Sequence, residues 1–276
     1  MSKITIKASV FRINTIVHFD TGMIEPVVVI HPPLVLNNGY AIDSFSMNGF
    51  KLESDFDLAP NDIIELTFDD HDPPGLMLAK VVERSNLPRQ LTLTGKCPIC
   101  GAPLFSINGS KFGRCLNRTC RAQLSQTTVL MLAALGLQFN HQQQQILNYT
   151  LIRGALRSPA DIFKLPLESF YTENIEDSFI REDAMSFIQY LHSIRGHVSV
   201  DQVLIGLRIP GWDMGTIATI RQWFDQHHYG LLDLSRLFYA TEQSQISNIN
   251  WGEWNQMLVL PSNRQLIREL CTILNK

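Results

Sequence analysis

Four of the five cysteines fall between residues 97 and 120, spaced C-x2-C-x14-C-x4-C as Cys97, Cys100, Cys115 and Cys120. No other feature restricts the fold as strongly. A Cys-x-x-Cys pair sets two thiolates on one tight turn, here with Pro98 between them and Gly101 after. A second pair completes the four sulfur ligands of a tetrahedral zinc site. The competing readings are two reduced pairs or a disulfide framework. A chain of 276 residues can build a core without disulfides, and its start, MSKITIKASVF, has neither a long apolar run nor a small-residue cleavage site. Secretion is therefore not expected, and zinc is the predicted occupant. With four cysteine ligands no position is left for water, so the predicted site is structural, not catalytic. Cys271, set among Leu270, Ile273 and Leu274, is expected to be a buried, inert thiol.

Charge singles out the same segment. The whole chain has a formal net charge of −3, which at first sight argues against a nucleic-acid partner. Residues 1–90 carry 7 Lys/Arg and 12 Asp/Glu, and residues 126–276 carry 11 and 14. Residues 91–125 carry Lys96, Lys111, Arg114, Arg118 and Arg121 and no acidic group. Short-range electrostatics follows this local surplus, not the total. Zinc bound by four thiolates is formally −2, which still leaves this module the one positive region.

The texture of the chain changes across the basic segment. Before it, short apolar runs at Ile4–Ile6, Val10–Val17, Pro26–Ile30, Leu34–Leu36, Ile63–Phe68 and Leu76–Val82 alternate with turn signals such as Thr21-Gly22, Pro32-Pro33 and Pro73-Pro74-Gly75. That spacing predicts a small all-β barrel or sandwich. After it, apolar residues recur at helical spacing in Leu124–Leu137, Gln142–Leu151, Asp183–Ile194, Val200–Leu207, Thr216–Phe224 and Asn263–Leu274. These predict a compact all-α domain of helical hairpins, with Gln142–Gln145 as an exposed helix face. The longest apolar-or-glycine run, Val129–Leu137, is nine residues, less than half of a membrane span.

In this order the three blocks resemble the C-terminal part of NAD-dependent DNA ligases. The knuckle Cys97-Pro98-Ile99-Cys100-Gly101-Ala102-Pro103-Leu104, then Arg114-Cys115-Leu116-Asn117, then Cys120-Arg121-Ala122-Gln123, is similar to the family's C-P-x-C-G-x-P-L, R-C-x-N and C-x-A-Q strings. Ser158–Leu165 looks like its link between helical hairpins, and Ile205–Gly211 followed by Gly215 resembles its L-G-I-R-x-V-G-x-x-x-A motif. Asn263-x-x-Leu266-Ile267-x-x-Leu270 looks like its closing helix, and Thr21–Val27 like the T-G-x-h-x-P-V segment of its oligonucleotide-binding (OB) barrel. The resemblance implies a multi-domain α+β chain: an OB-fold barrel over 1–90, a four-cysteine zinc finger over 91–125 and a helix-hairpin-helix domain over 126–276.

Departures from the family pattern shape the functional expectation. Members attach AMP to the lysine of a K-x-D-G motif, and none of the eight lysines here is followed by x-Asp-Gly. The nucleotidyltransferase, NAD-recognition and tandem-repeat BRCT domains have no counterpart in the sequence. In the barrel, Asp20 stands where the family has arginine, and Asp69, Asp70, His71 and Asp72 stand where it has a basic pair. Acid at those positions repels DNA, so the barrel is expected either to serve as a scaffold or to face a basic partner. Helix-hairpin-helix units bind the DNA backbone through N–H groups exposed at a glycine turn. Only Pro210-Gly211-Trp212, followed by Gly215-Thr216, keeps a convincing turn; those near Asp177–Arg181 and Phe139–His141 lack glycine.

The scattered histidines form no catalytic spacing, and no Gly-rich phosphate loop or H-E-x-x-H string occurs. No catalytic residue is therefore expected. The expected DNA contacts are Lys96, Lys111, Arg114, Arg118, Arg121, Arg208, Gly211, Gly215 and Thr216, with Arg221 as an added candidate and the four tryptophans as packing anchors. The resemblance implies the DNA-binding subunit of a split, cytoplasmic ligase that seals nicks in replication and repair. Its partner chain would supply the adenylylation lysine and use NAD and magnesium. The alternative is a catalytically inactive, ligase-derived nucleic-acid-binding or replication adaptor, and a purely structural protein–protein module is the third reading.

Overall fold

The computed structural model describes residues 3–18, 21–35, 39, 41–47, 58–69, 77–87, 96–106, 113–138, 140–166, 169 and 178–276. Two compact units emerge, one formed by Met1–His18 with Met23–Cys115, the other by Phe19–Gly22 with Leu116–Lys276.

The first unit is built on strands β1 (Lys3–Val17), β2 (Ile24–Val35), β3 (Ala41–Ser46), β4 (Ile63–Asp69) and β5 (Met77–Glu83). They form a five-stranded antiparallel sheet in the order β3-β2-β1-β4-β5. The long first strand serves two neighbours in turn: Lys3–Ser9 pairs with β4, and Val10–Val17 pairs with β2. A register shift between Val10 and Arg12 separates the two ladders, as a bulge does when it lets a strand bend from one partner to the next. Inward positions alternate along the strands, so Ala8, Val10, Val28, Ile30, Phe45, Ile64, Leu66 and Leu78 form one buried apolar cluster with Met47 and Leu58. Asp62 is fully buried beside it, where its carboxylate accepts from the Ala59 N–H at 2.9 Å and the Ser85 N–H at 2.6 Å. Those bonds offset the cost of burying the group.

Two strand expectations change. The runs at Ile4–Ile6 and Val10–Val17 are one strand, and Pro32-Pro33 lies inside β2 instead of breaking it. Proline lacks an N–H for a ladder bond. The β2–β3 register shifts between Val29 and Leu34, so the prolines sit where neither is paired with β3.

The second unit is helical: α1 (Arg121–Ala134), α2 (His141–Ile152), α3 (Ser178–Ser193), α4 (Val200–Leu207), α5 (Met214–Gln226), α6 (Ala240–Gln243), α7 (Gly252–Val259) and α8 (Pro261–Leu274), with 3-10 segments at Pro159–Phe163 and Leu231–Phe238. Local signals explain several ends. Gly136 at φ 98° stops α1, and the Leu137 N–H reaches back to the Leu132 carbonyl at 3.0 Å. Asn140 caps α2 by accepting from the Gln143 N–H at 2.7 Å, while Gln143 Oε1 accepts from the Asn140 N–H at 3.1 Å. One glutamine of the expected exposed run is thus a capping residue. Helices α1 and α4 cross closely at Gly206, where an added Cβ would meet Met131 Sδ at 2.5 Å. Among the described residues of this unit, Phe187, Phe224 and Trp254 are the largest fully buried side chains. Among the described residues, no helix is long and apolar enough to cross a membrane.

Candidate metal centre and nucleic-acid interface

The cysteines converge. The thiols of Cys97, Cys100, Cys115 and Cys120 all lie within 4.8 Å of one another, forming a group that could hold a metal ion. The first turn is set by backbone: the Cys97 N–H donates to the Ala102 carbonyl at 2.7 Å, and the Gly101 N–H to the Cys97 carbonyl at 2.9 Å. Gly101 takes φ 70°, a conformation that favours glycine. Strands β6 (Leu104–Ser106) and β7 (Gly113–Cys115) then pair antiparallel and return the chain to the cluster. Gly113 has no alternative there, because a Cβ would sit 2.4 Å from that of Leu104.

Sulfur geometry tests the fit. Cys100 Sγ and Cys115 Sγ are 3.7 Å apart, far beyond the ~2.05 Å of a disulfide. Four sulfurs held at ~2.3 Å from a central zinc make a tetrahedron with edges of about 3.8 Å. Cys97, Cys115 and Cys120 are buried, whereas Cys100 lies nearer the surface. Cys271 is apart from the cluster, and burial pushes its thiol up to about 12, so it stays protonated.

The expected basic contacts divide. Lys96 and Arg121 are exposed, Lys96 in a bridge to Pro103 and Arg121 at the start of α1. Arg114 is half-buried on β7 and bridges to Met23, and Lys111 lies outside the described residues, as do Asp20 and Asp70–Asp72. Arg118 is placed differently from the expectation: it is 3% exposed. Its guanidinium donates to the Arg208 carbonyl and, at 3.4 Å, to Gln123 Oε1. Burial of this depth keeps it from a phosphate in solution, and removes the reason for grouping it with the surface contacts.

Around Arg118 lies a polar node that composition gave no hint of. Asn263, 1% exposed, accepts from the Arg118 N–H at 2.9 Å and donates to the carbonyls of Leu116 at 2.8 Å and Met257 at 2.9 Å. Ser262 Oγ donates to Asn117 Oδ1 at 3.0 Å, and that oxygen also takes the Thr119 N–H. The first turn of α8 is thereby stitched to residues 116–119. Only the resemblance at Asn263-x-x-Leu266 pointed to that asparagine.

The turn between α4 and α5 carries the remaining expected contacts. Arg208 ends α4 in the left-handed region at φ 46°, with its side chain exposed. Gly211 follows at φ 74°, and open space surrounds the position its Cβ would take, so a ligand can approach the backbone there. Thr216 is not an open donor: its N–H is taken by Asp213 Oδ1 at 2.7 Å. That bond holds the Asp213 carboxyl below its ordinary value, so the helix N-terminus carries a fixed negative charge. Gly215 is exposed within the same turn. Arg221, further along α5, is held by Asp201 at 2.6 Å and Asp225 at 3.0 Å. Its two carboxylates raise its affinity for the proton and leave it a poor phosphate ligand. Trp212 packs its ring against Trp254 at 5.3 Å and edge-on to Trp251 at 5.4 Å, and its Nε1 donates to the Asn250 carbonyl. Trp254 Nε1 donates to the Leu237 carbonyl, so the turn is anchored on a packed aromatic group.

No family model matches the chain. Among curated proteins it is similar to a DNA ligase of Koribacter versatilis, 25% identical over 204 residues, covering 70% of this chain and 28% of the relative. A DNA ligase of Lawsonia intracellularis is 23% identical over 152 residues, covering 55% and 22%. One of Bacillus subtilis is 22% identical over 148 residues, covering 54% and 22%. The chain thus spans about a quarter of the length of the relatives it matches. A ligase-related role is supported at this low identity.

Proposed function

We propose that this chain is the DNA-holding part of a split NAD-dependent DNA ligase. In this reading residues 1–90 are an OB-fold barrel, 91–125 a zinc finger and 126–276 a helix-hairpin-helix domain. The adenylylation lysine comes from a separate nucleotidyltransferase chain, which also uses NAD and magnesium. One observation carries the reading: four cysteine thiols gathered so that they could hold a metal ion lie in a chain similar to DNA ligases.

Zinc held by Cys97, Cys100, Cys115 and Cys120 would fix the knuckle and leave no site for chemistry. Lys96, Arg114 and Arg121, with Lys111, would meet phosphates near the knuckle. Arg208 and the open backbone at Gly211 would meet them at the α4–α5 turn. Such contacts do not read sequence, which suits a protein that must act at any nick. The partner would adenylylate the 5′ phosphate, and the adjacent 3′ hydroxyl would then displace AMP. The test is sealing of a nicked duplex by this chain mixed with a nucleotidyltransferase chain from the same genome. Sealing by the pair and by neither alone is expected; failure of every such partner sinks the split arrangement.

A second reading is favoured by the Asp213 carboxylate at the turn. There it occupies the helix N-terminus that a phosphate would use. A ligase-derived adaptor without catalysis needs no strong grip at that point. Titrating binding to nicked and intact duplex against salt separates the two, since only a ligase subunit should prefer the nick.

A further inference from the structure

We infer that Arg118 is a positioning residue for the α4–α5 turn, holding the carbonyl of Arg208 from the cysteine segment and so setting the backbone that meets DNA. The consequence for DNA rests on the reading above; the consequence for the turn does not.

Three observations carry this. First, Arg118 is the one arginine of the basic segment that turns fully inward, and a buried guanidinium needs acceptors on its planar fork. It finds the Arg208 carbonyl and Gln123 Oε1. Second, that carbonyl belongs to a non-glycine residue in the left-handed region, a conformation that persists only when its surroundings fix it. A left-handed residue at a helix end swings its carbonyl out of the helical ladder, where an external donor can capture it. The next residues are Ile209, Pro210 and Gly211, so the captured carbonyl stands at the entrance to the turn. Third, Arg118 is itself held from behind. Its N–H donates to Asn263, which also gathers Leu116 and Met257, and Asn117 receives Ser262. The backbone that carries the guanidinium is therefore anchored, between Cys115 and Cys120 in sequence, and the side chain reaches the turn from a fixed base.

The fork explains why arginine stands here. Methionine would fill similar volume and offer no donor, whereas lysine could reach one of the two acceptors. The two substitutions thus grade the loss without changing the size of the site.

The experiment compares wild type, Arg118→Met and Arg118→Lys with zinc bound, reading amide hydrogen exchange along the whole second unit and duplex DNA affinity at fixed salt. Zinc per chain and the thermal midpoint serve as controls for folding. Loss of a hydrogen bond from a charged donor should speed exchange of the 211–216 amides roughly tenfold or more in Arg118→Met, and less in Arg118→Lys. Exchange across α3 should stay unchanged. Duplex affinity should fall in the same order. If exchange at 211–216 is unchanged, or rises uniformly through the unit, Arg118 is ordinary packing and the inference is overturned. Should Arg118→Met fail to fold, Arg118→Lys decides by the same criterion. If the turn loosens but wild type has no measurable duplex affinity, the positioning role stands and the DNA reading falls.

Discussion

The sheet of the first unit and the cysteine knuckle solve the same problem by opposite means. The sheet is held by an apolar cluster in which Val10, Val28, Ile64 and Leu66 are fully buried, each contact non-specific and replaceable. The knuckle brings short strands, exposed turns and four thiols together, with Leu116 the fully buried apolar side chain beside Cys115. A core of the first kind loses stability by degrees as side chains shrink, since its energy is proportional to buried area. A site of the second kind is all or nothing, because a metal missing one ligand no longer closes the loop. The polar node at Asn263 is intermediate: directional like metal coordination, but built from bonds that can be removed singly.

That contrast is broken most forcefully by Cys115→Ser or by chelation. Zinc at the proposed site would contribute on the order of 10 kcal/mol, so metal content should drop to zero and exchange protection vanish over 97–106 and 113–120. The sheet should keep its own protection, because its core contains none of the four cysteines. If metal-free protein keeps the knuckle protected, the thiols are incidental. The opposite substitution, Ile64→Ala, empties part of the sheet core and should cost about 2–5 kcal/mol by thermal or denaturant melting. Zinc per chain should not change. Loss of both together would show that the two regions fold as one and that the contrast is false.

The same contrast explains what the sequence could reveal. Ligand chemistry is local, so C-x2-C-x14-C-x4-C located the thiol cluster with no knowledge of the fold. Periodicity is also local, and α4 runs over Val200–Leu207 as its pattern indicates. Helices α2 and α5 extend one or two residues past theirs at each end, α8 starts two residues early, and α1 and α3 start three and five residues early. The four-residue α6 is too short for a period to register, and the 3-10 segment at Leu231–Phe238 winds at three residues per turn and not 3.6. Helix α7, as long as α4, opens on Trp251-Gly252 with no capping side chain to signal it. Pro32-Pro33 misled because proline removes a donor, not a strand, when the register skips it. Most instructive is Arg118. A tally of charge along the chain cannot say which arginine points inward; that is decided by the Arg208 carbonyl, 90 residues away.

Close packing of helices gives a middle-sized effect. Gly206→Ala places a methyl into Met131, whose Sδ and Cα would both lie within 3.0 Å. Overpacking of this sort should cost about 1–3 kcal/mol and lower the melting midpoint without touching metal content. Smaller still is Asp213→Asn, which keeps an acceptor for the Thr216 N–H but removes the charge from the helix N-terminus. Duplex affinity at low salt should rise about two- to fivefold, an effect that added salt erases. A fall in affinity would mean that the carboxylate helps the turn more than it repels phosphate.

The smallest effect is electrostatic and tests whether surface ion pairs belong to the sheet's graded behaviour or to the knuckle's all-or-nothing one. Lys164, on the segment after Pro159–Phe163, meets Glu269 of α8 at 2.9 Å and Asp161 at 3.7 Å. The hydrogen bond from Lys164, helped by that from Gln265, holds the Glu269 carboxyl below its ordinary value. A carboxylate depressed in the folded state contributes stability above its unfolded pKa, near 4, and loses it as pH falls through the folded value. Lys164→Met should therefore cost at most about 1 kcal/mol at pH 7, since the lysine is nearly half exposed and water screens the pair. The gap between the two melting curves should close as pH drops below 4. A gap that persists at pH 2 would assign the loss to the packing of the lysine stem against α8 instead of to its charge.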